Sequence, residues 1–286
     1  MHTLEIPRKK GKSDFIEFPS NWDEMTEKQF LKIMELVVMF ENGEIDYNDF
    51  RLQSTMILIG IMKTEGARSK ADQEEIECNL VILSEYTDYI IVLEKNKKGQ
   101  MEAKLKFDSL KQFIPEINGF VGPQQLLANL NWNQLVYASA QYKTYIQTKD
   151  AKALDRFVAS LYLPKDSKFE VLTVDDRAKE LSGIPFHHKY YVFLFFRNCL
   201  NHIQNSRVNM NGEMVDLSIL FKDDKKKSKA DGLGLVGLQM GVAESNVFGD
   251  MEKVGEQNIF DIYAYMYKNK HAFIEMEKER KRQDKS

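Results

Sequence analysis

Apolar residues recur at three- and four-residue steps along most of this chain, and the pattern is clearest between Asn131 and Pro164. Asn131 and Gln134 stand at capping-box spacing, with Leu130 and Leu135 placed as the hydrophobic staple, so a helix is expected to begin there. Leu135, Ala138, Tyr142, Tyr145 and Ile146 then share one face of it. Asp150 is positioned to cap a second helix, whose stripe is Leu154, Phe157, Val158, Leu161 and Tyr162 and which Pro164 stops. So short a connection makes the two helices antiparallel, and their paired stripes need a third element to cover them. The segment from Pro185 to Gln204 suits that role, because Tyr190 to Phe196 is an unbroken apolar and aromatic run with no polar face. The run is far short of the ~20 apolar residues that span a bilayer, so it reads as a buried core helix.

Elsewhere the same periodicity predicts further hairpins. Thr26 and Gln29 form a second capping box, with Met25 and Phe30 as its staple, ahead of a helix from Glu27 to Phe40 that buries Phe30, Ile33, Met34, Val37 and Val38. Glu41-Asn42-Gly43 ends it, and Asp46 to Met62 reads as its partner helix. Lys63 to Glu77 is polar and reads as loop. Ile90 to Leu93, the turn Asn96-Lys97-Lys98-Gly99, and the alternation of Met101, Ala103, Leu105 and Phe107 predict a β-hairpin around residues 89–107. Phe113 to Val121 is too marked by proline and glycine for a helix, and a short helix is expected from Gln124 to Leu130. Thr173, followed by Asp175 and Asp176, starts a short helix that Gly183 ends. Leu233 to Ala243 and about Asn258 to Arg282 read as the last two helices, the second ending in charged turns exposed to solvent.

The expected fold is therefore mainly α: stacked antiparallel helical hairpins with one small β-hairpin. Its expected divisions are an extended arm at 1–20, a helical body at 21–221, a mobile lysine-rich loop at 222–231, and a C-terminal helical segment at 232–286 that packs on the body and carries a charged tail. Composition leaves this picture in place: 43% of residues are hydrophobic and 29% charged, ordinary for a soluble globular protein. The formal charge of -3 argues against a dedicated nucleic-acid binder. Cys78 and Cys199 stand far apart and suggest neither a disulfide framework nor a zinc site. The N-terminal stretch has basic residues with no apolar region behind them, so synthesis in the cytoplasm without export is expected.

Signals for chemistry are sparse. Gly232 to Gly237 formally matches GxGxxG, yet a lysine-rich run precedes it where a dinucleotide site needs a strand. His187 and His188 are adjacent, so their side chains diverge by ~100° on a helix, and no Cys, Asp or Glu stands at ligand spacing. Asp175 and Asp176 suit a helix N-terminus without any catalytic role. No cofactor or metal is expected, and the reading is non-enzymatic, with a dispersed active site as one alternative. Lys225, Lys226 and Lys227, and the tail residues Arg280, Lys281 and Arg282, are candidate contacts for an anionic partner, although both runs are interleaved with acidic residues. Tyr137, Tyr142, Tyr145, Tyr263, Tyr265 and Tyr267 are candidate protein-binding residues, because tyrosine suits both packed and wet surfaces.

Three stretches carry a resemblance. FPSNWDEMTEKQF and the segment from Gly122 to Pro164 resemble proteins of bacteriophage and prophage structural modules, and VFGDMEKVGEQNIFDIYAYMYKNK resembles the C-terminal ending of phage tail-assembly chaperones. The likeness spans about half the chain and includes no catalytic motif. In that ending a tryptophan commonly stands before the helix, and Leu233 to Met240 has none. The resemblance implies a non-enzymatic virion or tail assembly protein acting through protein contacts. Its partners would be tail-tube, tape-measure or neighbouring virion subunits, with a homo-oligomer as a further option and no membrane. It would work in the host cytoplasm during assembly or remain in the virion. The alternative reading is a nucleic-acid-associated phage or mobile-element protein that uses the basic arm and tail.

Overall fold

The computed structural model describes residues 1–8, 12–60, 78–210, 212–221 and 233–284. The chain is predominantly helical and divides into two compact units, Met1–Phe113 with Pro185–Tyr191, and Ile114–Ile184 with Val192–Ser286. The expected helical body at 21–221 has no division at Phe113, where the first unit's long segment ends. The lysine-rich run at 222–231, with Lys225, Lys226 and Lys227, and Gly232 of the glycine motif lie outside the described residues.

In the first unit, residues expected to form an extended arm pair instead as an antiparallel hairpin, β1 (His2–Arg8) with β2 (Lys12–Phe18), Leu4 opposite Ile16. Helix α1 (Glu27–Glu41) opens on the expected capping box: Thr26 accepts from the Gln29 backbone N–H, and the Gln29 side chain accepts from the Thr26 backbone N–H. Asp46 caps α2 (Tyr47–Leu58) by accepting from the Asp49 N–H. The expected β-hairpin is β3 (Ile91–Lys95) with β4 (Met101–Leu105), in register at Leu93 and Ala103.

The core of this unit is aromatic. Phe30 is fully buried and lies parallel to Phe113 with ring centres 3.8 Å apart, while Tyr191 meets it edge-on at 4.9 Å. Trp22 closes the cluster against Phe107 at 5.0 Å, and its indole N–H donates to the Lys106 carbonyl at 2.7 Å. The Tyr191 hydroxyl accepts from the Phe113 N–H at 2.8 Å and reaches the Lys111 carbonyl at 3.0 Å, so its polar tip is satisfied inside the apolar cluster.

The second unit starts with a three-stranded sheet in the order β5 (Glu116–Ile117), β6 (Phe120–Val121), β7 (Leu163–Pro164). The β5–β6 turn is Asn118-Gly119, both at positive φ. Gly122 follows because a Cβ there would stand 2.6 Å from the buried Tyr162 ring, whose hydroxyl donates to the Ile114 carbonyl at 2.6 Å.

Helix α3 (Trp132–Thr148) packs on α4 (Ala151–Leu161), and α4 on α5 (Val174–Leu181). Asn131 caps α3 as expected, accepting from the Gln134 N–H at 2.8 Å. The Gln134 side chain does not complete the box: it is buried and donates to the Ser160 carbonyl at 2.8 Å, tying α3 to α4. Ile146, placed on the apolar face by its spacing, is exposed near the end of α3. Helix α6 (Phe186–Asn205) is the expected core helix, with every residue from Tyr191 to Phe196 buried.

A hairpin of β8 (Arg207–Met210) and β9 (Glu213–Asp216) follows. Then come α7 (Leu235–Glu244), α8 (Met251–Glu256) and α9 (Ile259–Gln283), the last capped by Asn258, which accepts from the Phe260 N–H at 2.8 Å. The mainly α expectation holds. The single expected hairpin is one of four small sheets among the described residues. No helix among those residues is long and apolar enough to cross a membrane.

Candidate protein-binding surface

Helix α7 buries the amide of Gln239 and leaves several of its apolar residues partly exposed. Gln239 is 6% exposed, and its side-chain amide donates to Asn133 Oδ1 at 3.1 Å and to the Met251 carbonyl at 2.9 Å. Val242, one turn later on the same side, is also buried. Leu233, Val236, Leu238 and Met240 are between 36% and 48% exposed, and Val247 just beyond the helix is 59% exposed. Gly237 and Gly241 lie one turn apart on the outer side. A Cβ on Gly241 would meet nothing within 4 Å, so no packing inside the chain calls for glycine there, although glycine costs a helix ~1 kcal/mol relative to alanine.

What holds α7 this way is a close fit between α3 and α8. Asn133 lies against Gly255, where a Cβ would come within 2.2 Å of Asn133 Oδ1. With glycine at 255, the Asn133 side chain reaches far enough to accept from Gln239. The two bonds on the Gln239 amide then fix which side of α7 faces inward, since breaking them would leave buried polar groups unpaired.

The six tyrosines divide. Tyr145 and Tyr263 are interior rings, correcting the expectation that they are presented on a surface. Tyr145 meets Phe193 edge-on at 5.4 Å, and Tyr263 is enclosed by Trp132 at 5.6 Å and Phe221 at 6.0 Å. Burial pushes the Tyr263 phenol far above its ordinary pKa. Tyr142 is half-buried and stacks on Phe193 at 4.6 Å, and burial also raises its pKa. Tyr137 is half-buried beside Phe169 at 5.9 Å. Tyr265 and Tyr267, both partly exposed on α9, remain as presented rings. Tyr265 has its pKa lowered by side-chain hydrogen bonds with Ser245 and Asn269, and Tyr267 lies 5.9 Å from His271. Further along α9, Phe273 and Met276 are 52% and 61% exposed and share a face.

Arg280, Lys281 and Arg282 are exposed on the last turns of α9, where basic residues suit the helix dipole. Lys281 pairs with Glu277 at 3.4 Å, and Lys278 with Glu275 at 2.7 Å, so acidic neighbours partly neutralise the tail. Asp175 is held by Arg156 at 2.7 Å and Asp176 by Lys179 at 2.8 Å. His187 and His188 are half-buried at the start of α6 with ring centres 4.6 Å apart, and burial lowers the pKa of both. Among the described residues, no three His, Cys, Asp or Glu side chains are grouped to hold a metal. Cys199 is buried and its thiol is pushed up to about 12.

No family model matches this chain, and comparison with curated proteins and with solved structures likewise finds no match.

Proposed function

We propose that this chain is a non-enzymatic bacteriophage or prophage assembly protein that acts by binding other virion or tail components. The observation that supports the protein-contact part of this reading is α7: Val236, Leu238 and Met240 are 36–41% exposed while the one amide of the helix is buried and hydrogen-bonded. An apolar set of that kind on a folded surface is characteristic of protein contact. Exposed Phe273 and Met276 on the last helix add to it. The phage setting is supported by the resemblance of the segment from Val247 to Lys270, which follows α7 directly, to the ending of tail-assembly chaperones.

The test is co-expression with tail-tube and tape-measure proteins from the genome that encodes this chain, followed by co-purification. The reading expects one of them to be captured at fixed stoichiometry, with capture lost when Leu238 and Met240 are replaced by glutamate. A chain that stays monomeric and captures neither component contradicts it. The nucleic-acid alternative is less favoured, because the described part of the basic tail is interleaved with acidic partners.

A further inference from the structure

We infer that the groove beside α5 is a second contact point, which takes a single carboxylate from an extended segment of a protein partner and seats it against Arg177. The inference rests on the reading that this chain works by protein contact, and names a chemistry that reading leaves open.

Arg177 is only 6% exposed, a rare position for a guanidinium. Its Nε donates to the Ala159 carbonyl at 3.0 Å and one terminal nitrogen donates to the Thr173 hydroxyl, while the other, Nη2, has no partner. None of the ion pairs among the described residues involves Arg177. Nη2 is itself sealed from solvent, so a ligand in the groove reaches it only when the guanidinium turns outward; a buried guanidinium with an unfilled donor favours an oxygen acceptor, and a charged acceptor most of all. Burial pulls its pKa down while Tyr137, Glu170 and Glu180 pull it up, and a guanidinium stays charged throughout.

Arg177 lines an open groove of about 720 Å³. Phe120 and Pro164, paired residues of β6 and β7, supply an apolar floor, and Ser167 and Lys168 add polar groups from the loop that follows. The rim also carries Glu170 and Glu180, whereas Asp176 is neutralised by Lys179 at 2.8 Å. That mixture selects among anions. A polyanion would be repelled by the lining carboxylates, while one carboxylate beside a basic residue would pair with Arg177 or Lys168 and offer its own positive charge to Glu170 or Glu180. A glutamate or aspartate next to a lysine or arginine in an extended peptide has that arrangement.

The test is a titration of the full-length isotope-labelled chain, followed by nuclear magnetic resonance, with acetyl-Glu-Lys-amide as probe. The comparison ligands are its Gln-Lys counterpart, acetyl-glutamate and inorganic phosphate. Saturable shifts are expected at the Arg177 Nε–H and at the Ser167 and Gly119 amides, with the Gln-Lys peptide binding at least tenfold weaker and acetyl-glutamate also weaker. Phosphate should leave those signals in place. Arg177→Lys should weaken the Glu-Lys peptide at least tenfold. Because Arg177 also supports α4, the exposed Lys168→Ala serves as the variant that keeps the fold, and a several-fold loss is expected from it. Equal binding of the Gln-Lys peptide, displacement by phosphate, acetyl-glutamate binding as tightly as the peptide, or wild-type affinity in Lys168→Ala would each overturn the inference. If the peptide fails while a tail component is still captured, this inference falls alone. If the peptide binds and no component is captured, the assembly reading falls alone.

Discussion

Replacing Gly255 with alanine should cost far more than a one-carbon change on a six-residue helix suggests. The added Cβ would lie 2.2 Å from Asn133 Oδ1, 2.3 Å from Nδ2 and 2.4 Å from Cγ, so the whole Asn133 amide must move by about 1 Å or more to restore ordinary contact. That movement takes Oδ1 away from Gln239 Nε2, now 3.1 Å distant, and leaves a buried amide with one acceptor fewer. Overpacking costs about 1–3 kcal/mol and the lost bond about 0.5–1.5 kcal/mol, against a helix-propensity gain of at most about 1 kcal/mol. The net loss should lie between about 0.5 and 4.5 kcal/mol, centred near 2–3 kcal/mol. Denaturant midpoints of Gly255→Ala, Asn133→Ala and the double variant measure it as a cycle. Removing the Asn133 amide removes the clash, so the double variant should be no less stable than Asn133→Ala, with a coupling of at least about 1 kcal/mol. Costs that add to within about 0.5 kcal/mol would refute the argument that Gly255 is there to seat Asn133.

Phe30→Ala removes a fully buried ring stacked at 3.8 Å on Phe113, and should lower the stability of the first unit by about 3–5 kcal/mol, read from its denaturation midpoint. Of the two cysteines, exposed Cys78 should react with a thiol reagent at pH 8 while Cys199, its thiol pushed up to about 12, should react after unfolding; two fast thiols in the native chain would contradict the packing. His187 and His188 both have pKa values lowered by burial, so the unfolded chain binds protons more readily than the folded one. Their contribution to stability should be complete above about pH 6.5 and decline as the pH falls through that value. Melting temperatures between pH 7.5 and 5 should show the fall, and replacing both residues with glutamine should flatten it.

Much of the helical framework is legible in the sequence because helix ends carry their own chemistry. Thr26, Asn131, Asp150 and Asn258 each cap a helix close to where their spacing places them. The failures come from interactions between residues distant in sequence. Gln134 has the capping-box spacing, but Ser160 supplies a buried acceptor that outcompetes the box. Pro7 and the basic run from Arg8 to Lys12 hide the first hairpin in the sequence, although its cross-strand pairs bring Leu4 opposite Ile16. The Asn118-Gly119 turn is a strong hairpin signal in its own right, masked by the short strands on either side.

The candidate surface was the least legible part. Periodicity assigns apolar residues to the interior, and α7 departs from that by burying Gln239 beside Val242, because Asn133 and the Met251 carbonyl offer Gln239 two acceptors. Tyr142, Tyr145 and Tyr263 were ambiguous for the opposite reason: their residue type suits an interface, yet Phe193 and Trp132 enclose or stack on them. Arg177 carries no sequence signal, since its burial depends on α4 and the groove beside it.

The most direct test of the central claim is quantitative co-purification of purified tail-tube and tape-measure proteins with the wild-type chain and with the Leu238→Glu, Met240→Glu double variant. Leu238 and Met240 are 38% and 41% exposed, so the melting temperature of the variant is measured beside that of the wild type to separate loss of contact from loss of fold. The account predicts stoichiometric capture of one component by the wild type and its loss in the variant. Equal capture by both chains, or capture by neither, would contradict it.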